Sequence, residues 1–448
     1  MLITILMSQG PCPPLEHVQV KVADSEEAKE ESKPIEKFED ADIYGSASFS
    51  SSFLNLIKSI IGAGILGIPL AIKRLGYVPG ILVMIFAAIL SGFGLYLLSV
   101  VCERLGRRTT FSSAAKQFYP KGALALDIAI AVKCLGVGMS YVSVVAEVIP
   151  DIIKGFNPEL LERQRWLGWK AIWVWTTIVF MAPIVSMKQI DSLKYTSFCG
   201  MAAVVYLLGL SIYQIATIQK LVKIEAVAPF SLSALSSFSV FVFAFTCHQN
   251  IFPIQTQAKD MSAKNFSKII SMSVLTSLVI YLVFGVLSCL SNPSIKDKIL
   301  SAYPIDKLPF IFARIWYVLL LAFSFPLQSY PTRTSLGKIV TTVKGEAFVA
   351  INGKAIHWIN TGLILGLCGG IASLPISLET FLTIVGSTAS PVICYFLPAL
   401  LFLKMTASDP KQCRALRFGA KVLLGFSVLL ILFSCSMIII KVFVNKIK

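Results

Sequence analysis

The chain is short of charge. Only 14% of its 448 residues are Asp, Glu, Lys or Arg, whereas soluble globular domains carry about 25%. With 56% hydrophobic residues and a mean hydropathy of +0.76, it has too little polar surface to cover a water-soluble core. It also lacks the groups that catalysis needs. Three histidines are too few and too scattered for a metal or general-base constellation, and no phosphate-binding glycine loop, nucleophile elbow or metal-spaced His/Cys cluster occurs. The expectation is therefore no enzyme and no cofactor. Most of the ten cysteines (Cys134, Cys199, Cys247, Cys289, Cys368, Cys394 and Cys435 among them) lie inside apolar runs without metal-ligand spacing, and no structural disulfide is expected. The opening decapeptide, MLITILMSQG, lacks a basic region and is too short for a signal peptide. The first apolar span would then serve as its own targeting signal.

What the chain has is apolar length. About eleven segments approach or exceed the ~20 residues that a bilayer needs: Phe53–Ile72, Val78–Val101, Leu124–Ile149, Ala171–Met187, Tyr195–Ile218, Leu232–Ile254, Ile269–Leu290, Phe310–Leu336, Ile356–Leu374, Phe381–Leu403 and Val422–Val442. The fourth and ninth are short, and Pro326 and Pro331 interrupt the eighth. This pattern makes an all-α, multi-pass protein of the lipid bilayer. The formal charge of +16 then reflects Lys and Arg in short loops rather than a nucleic acid partner. Residues 1 to about 47 differ, with Glu26, Glu27, Glu30, Glu31, Glu36, Glu39, Asp40 and Asp42 beside Pro13, Pro14 and Pro34; they read as a disordered acidic tail. Arg104, Arg107, Arg108, Lys338, Lys344, Lys404 and Arg414 fall in loops on the tail's side, and the opposite loop near Pro375 has no cation. The bias puts the amino terminus in the cytosol.

Two of the spans are interrupted. FLNLIKSIIGAGILGIP, from Phe53 to Pro69, carries Lys58, Gly62, Gly64 and Gly67 near its middle. A central lysine costs roughly 2.5–3.5 kcal/mol on insertion scales, and each glycine about 1 kcal/mol relative to alanine. A mere anchor would accept neither, so the helix is expected to break and face a cavity. Asn55, Lys58, Ser59 and Gly62 fall on one helical face. The competing reading is a packing face of small residues with a lysine reaching for the interface. The sixth span, SVFVFAFTCHQNIFPI, is interrupted by Thr246, Cys247, His248, Gln249 and Asn250, followed by Pro253. Paired interruptions at corresponding places in two halves point to a transporter's substrate site. Bare helix ends offer N–H groups to a carboxylate and C=O groups to an ammonium, and an amino acid needs both. His248 could relay protons, given its ordinary pKa of about 6.5, or simply pack in a polar pocket.

NLIKSIIGAGILGIPLAIKRLG, FAFTCHQNIFPI, KCLGVGMSYVSVVAEVIPDI and FSFPLQSYPTRTSL together resemble the eukaryotic amino acid/auxin permease family. That family includes vacuolar, proton-coupled and sodium-coupled neutral amino acid transporters. The resemblance runs from about Ser51 to Leu403. It implies the leucine-transporter-like fold of the APC superfamily: inverted five-helix repeats at about 53–218 and 232–403, plus an eleventh helix at about 422–442. It also implies secondary transport of amino acids across a vacuolar, lysosomal or plasma membrane. Sodium-coupled members typically have asparagine where this chain has Lys58. The ammonium could take the space of Na⁺ and tie the first helix to the eighth near Ser324, favouring proton symport or Na⁺-independence. Glu147 stands where similar vacuolar sequences often have aspartate, and its separation from Lys133 does not pair the two. The break positions and the implied fold together nominate the backbone of Ile61, Gly62, Ala63 and Gly64 for the substrate carboxylate. They nominate the carbonyls near Thr246 and Cys247 and the Gln249 side chain for the amino group, with Tyr141 closing the site. Lys58, Ser324 and His248 are the candidates for ion coupling, while Arg314 and Arg333 are read as interface anchors and Pro331 as a helix break. The alternative function is an amino-acid sensor signalling through the tail.

Asn265-Phe266-Ser267 is a glycosylation sequon that this topology puts on the cytosolic side. Glycosidase treatment of protein from a eukaryotic host should leave its gel mobility unchanged; a shift would reverse the topology.

Overall fold

The computed structural model describes residues 45–447 apart from 63, 108, 120–121, 188–193, 219–220, 223–224, 230, 293–294, 296–298 and 408–412. The expected acidic tail, up to residue 44, and Ala63 lie outside the described residues. Among the described residues the chain is helical, with a single isolated bridge between Ala47 and Ala258. In chain order the helices are α1 (Phe49–Ile60), α2 (Gly64–Leu75), α3 (Tyr77–Leu105), α4 (Phe111–Phe118), α5 (Ala123–Phe156), α6 (Pro158–Arg163), α7 (Lys170–Ser186), α8 (Lys194–Thr217) and α9 (Leu232–Ala244). They continue with α10 (Ile251–Gln257), α11 (Ala263–Ser291), α12 (Leu308–Lys344), α13 (Glu346–Ala372), α14 (Leu378–Ser387), α15 (Leu397–Met405) and α16 (Arg414–Ile447).

Nine spans among the described residues are long and apolar enough to cross a membrane, and the bent pair α1–α2 adds a tenth. The fourth expected span is α7, an apolar helix of 17 residues, shorter than the others. Both expected interruptions occur. α1 stops at Ile60 and α2 restarts at Gly64 with a bend of 56°. α9 stops at Ala244, and after Phe245–Cys247 a 3₁₀ turn from His248 to Asn250 leads into α10.

The eighth span departs from expectation. α12 is one helix of 37 residues with Pro326 and Pro331 inside it, so Pro331 is not a helix break. Each proline removes one backbone donor, and in a bundle Ser and Thr side chains take up carbonyls near such positions. Ser324, Ser329, Thr332 and Thr334 each donate to the carbonyl one turn back, at 2.7–3.1 Å. Nor are the two arginines interface anchors. Arg314 is fully buried and donates to the carbonyls of Leu300 (2.9 Å), Tyr303 (2.9 Å), Pro304 (3.0 Å) and Phe310 (3.2 Å). Arg333 donates to Val185 O at 2.6 Å and Met187 O at 2.8 Å, while His357 Nε2 lies 3.0 Å from Ser186 O. The carbonyls left over where α7 ends are thereby capped by groups from α12 and α13. One cysteine also departs from the expectation of no disulfide: Cys413 is disulfide-bonded. Cys102, Cys134, Cys247, Cys289, Cys368 and Cys394 are buried free thiols.

One end of the bundle is tied by the backbone. Ala47 N–H donates to Gln257 O and Lys259 N–H to Ala47 O, both at 2.9 Å. Arg107, just past α3, donates to the carbonyls of Thr256 (2.9 Å), Ala258 (2.8 Å) and Lys259 (3.0 Å). The start of α1, the end of α3 and the end of α10 therefore meet there. Deeper in, α2 and α9 touch backbone to backbone: a Cβ on Gly64 would lie 2.9 Å from Ala244 Cα. Gly64→Val should force these helices apart and lower the melting temperature in detergent by several degrees. Wild-type melting would mean the approach is not tight.

Candidate functional site

The two interruptions are joined by one hydroxyl. Tyr281 of α11 is fully buried, and its hydroxyl reaches Ile60 O at 2.8 Å and Ala244 O at 3.1 Å. These are the last carbonyls of α1 and α9, groups with no intrahelical partner. In a medium without water such groups must be satisfied by protein, and one side chain serves both.

Beside the breaks lies a cavity of about 700 Å³. Asn55, Lys58, Ser59 and Ile61 from the first broken span line it, with Gln249, Asn250 and Pro253 from the second, Tyr141 from α5 and Ser324 from α12. It extends to Arg107, Thr110, Asp127 and Lys338, the end of the bundle where α1 begins and α10 finishes. The face expected for Asn55, Lys58 and Ser59 is thus a cavity wall. Ser59 Oγ donates to Asn55 O at 2.8 Å and accepts from Asn250 Nδ2 at 3.2 Å, a direct link between the two broken helices.

The residues expected from the sequence divide into two groups. Lys58, Ile61, Tyr141, Gln249 and Ser324 gather on the cavity. A Cβ on Gly62 would lie 2.9 Å from the Tyr141 hydroxyl, so Gly62 sits at the cavity's inner end, while Gly64 is buried against Ala244. Thr246, Cys247 and His248 stand behind the wall. Thr246 Oγ1 donates to Val242 O at 2.7 Å and accepts from Cys394 Sγ at 3.3 Å. Cys247 and His248 are fully buried, and His248 Nε2 lies 3.1 Å from Ser91 O. Ser324 Oγ donates to its own helix, to Leu320 O at 2.7 Å.

Several lining residues were not anticipated. Asp127 is 1% exposed; its Oδ2 accepts from Ser112 Oγ at 3.2 Å, and its Oδ1 has no partner among the described residues. Gln328 lies one turn beyond Ser324 on α12, and its Oε1, like that of Gln249, is buried without a partner among the described residues. The i, i+4 step from Ser324 to Gln328 and an aspartate inside an apolar span were both visible in the sequence. Buried acceptors without partners beside a polar cavity suit a ligand that brings N–H donors. Among the described residues no group of three His, Cys, Asp or Glu side chains could hold a metal ion.

Residues 45–440 match the family described as transmembrane amino acid transporter protein. The chain belongs to that family. Its relatives include vacuolar amino acid transporter 5 of Schizosaccharomyces pombe, 33% identical over 409 residues that cover 88% of this chain and 95% of the relative. Vacuolar amino acid transporter 6 of Saccharomyces cerevisiae is 29% identical and covers 66% of this chain and 67% of its own length. Among solved structures, that of MhsT in complex with L-phenylalanine superposes with a TM-score of 0.50 at 12% identity, covering 85% of this chain and 98% of that one. That likeness shows the leucine-transporter-like fold. The protein is thus a multi-pass transporter of amino acids, in a family of transporters rather than enzymes, as the four quoted motifs implied.

In this transporter Tyr281→Phe would leave the ends of α1 and α9 without their shared donor, a loss of about 1–3 kcal/mol for a buried group left unsatisfied. Thermal unfolding in detergent should show a clearly lower midpoint; an unchanged one would mean those carbonyls find other partners.

Proposed function

We propose that this protein is a secondary active, Na⁺-independent transporter that couples amino acid movement to protons by alternating access around the broken first and sixth spans. The observation that carries this reading is one cavity that touches both interruptions and continues to one end of the bundle. With the amino terminus in the cytosol, that end is the cytosolic one and the conformation is inward-facing. The repeats run over about 53–218 and 232–403, with the eleventh helix at about 422–442. The relatives named vacuolar amino acid transporters favour a vacuolar membrane.

The substrate carboxylate is held at the start of α2, around Gly62 to Gly64, where the N–H groups of a helix start and the helix dipole favour an anion. Its ammonium meets Gln249 and the carbonyls beyond α9, and Tyr141 covers the pair from α5. Lys58 and Ser324 line the same cavity from α1 and α12, which supports a fixed ammonium in place of a sodium ion. A lysine can also release and regain a proton when its surroundings change, which an alkali cation cannot. Amino-acid sensing through the tail is a second reading. It is favoured by the bonding of Ala47 to the end of α10, beside the cavity mouth.

The test is reconstitution into liposomes with a panel of amino acids under imposed pH and Na⁺ gradients in turn. Uptake should follow the pH gradient and ignore Na⁺. Lys58→Ala should abolish or uncouple it while the protein stays folded; full gradient-driven uptake by that variant would remove Lys58 from the mechanism.

A further inference from the structure

Far from the cavity mouth, α5 carries a second charged feature. Asp127, at the mouth, and Glu147 are twenty residues apart on one helix, a separation of about 30 Å at 1.5 Å per residue. Glu147 therefore marks the opposite end of the bundle. Its Oε1 lies 2.8 Å from Lys170 Nζ, and both side chains are only about one-quarter to one-fifth exposed, at 24% and 20%. Ser143, fully buried one turn below, donates to the same oxygen at 3.4 Å. Lys170 opens α7, and its ammonium also donates to Leu374 O at 3.2 Å and Ile376 O at 3.5 Å. One lysine thus joins three elements: α5, α7 and the turn between α13 and α14.

That turn leads directly into the helix that presses on both broken spans. In α14, Leu382 is the neighbour that a Cβ on Gly67 of α2 would meet, and a Cβ on Gly386 would collide with Ser239 O of α9. The turn is thus joined through α14 to the helical halves on the far side of both breaks from the cavity mouth. Tyr141, at the inner end of the cavity, is six residues from Glu147, about 9 Å along the helix. The ion pair thus sits less than two helical turns along α5 from the cavity's inner end.

We propose that Lys170 is the latch of this closed end, holding Glu147 and the α13–α14 turn together, and that the latch must open for an amino acid to reach the site from that side. The proposal rests on the alternating-access reading above. Lys170 acts through the position of α14 and touches no substrate.

The experiment reads accessibility, which needs no transport. Ser143→Cys puts a thiol behind the latch, and its labelling by a membrane-impermeant maleimide is followed in proteoliposomes, with labelling of the parent protein subtracted. Adding Lys170→Met or Glu147→Gln should raise the labelling rate several-fold and reduce amino acid uptake. Lys170→Arg, which keeps donors for the carboxylate and the carbonyls, should label as slowly as Ser143→Cys alone. Size-exclusion profiles exclude misfolding, and Glu147→Gln serves if Lys170→Met does not fold. Labelling at the parent rate in the folded methionine or glutamine variant would overturn the latch, even if uptake fell. Faster labelling in a protein whose parent shows no uptake would uphold the latch and count against the transport reading instead.

Discussion

A helix that ends inside a bilayer leaves carbonyls and amides with no water to receive them, and each orphaned group costs several kcal/mol in hydrocarbon. Two helices of this transporter end that way. The arrangement is tolerable because Tyr281 presents one hydroxyl to both last carbonyls, at Ile60 and Ala244, while Gly64 lets α2 approach α9 at backbone distance. The breaks are thereby held against each other by α11 and remain open toward the cavity. The two interruptions depend on these contacts: a shared hydroxyl at the carbonyl ends and a glycine that lets the helices meet.

The same constraint recurs at other helix ends. Arg314, Arg333, His357, Arg107 and Lys170 all spend hydrogen-bonding capacity on backbone carbonyls. Guanidinium groups dominate because several donors in a fixed fork can satisfy adjacent carbonyls at once. Cations that hydropathy would assign to the membrane surface thus do their work in the joints between helices. This arrangement keeps α7 tied at both ends, to α12 and α13 at one and to α5 and the α13–α14 turn at the other.

The fold was largely legible. Apolar length, the lysine among glycines at Lys58 to Gly67 and the polar run from Thr246 to Asn250 sufficed to find the spans and both interruptions, because lipid allows few solutions for backbone polarity. The site was legible only in part. Asn55, Lys58 and Ser59 were read onto one face by helical spacing, and they do line the cavity. Thr246, Cys247 and His248 were adjacent in sequence to Gln249, yet their side chains are not in the cavity's lining, because the helix stops at Ala244 and a short 3₁₀ turn resumes at His248, so no helical period runs across them. Pro326 and Pro331 misled in the opposite direction. Local rules end a helix at proline, but hydroxyls one turn along and the surrounding helices carry α12 straight through.

Composition and pattern alone determined that this chain lives in a membrane, spans it many times and has two interrupted spans. Those features follow from the cost of burying charge and backbone in hydrocarbon, which is paid residue by residue along the chain. Only the tertiary structure decided that Tyr281 bridges the two breaks, that Asp127 and Gln328 share the cavity with Lys58, and that Glu147 pairs with Lys170 rather than with Lys133. These are meetings between residues far apart in sequence, set by how helices pack in three dimensions, and no periodicity along one segment encodes them.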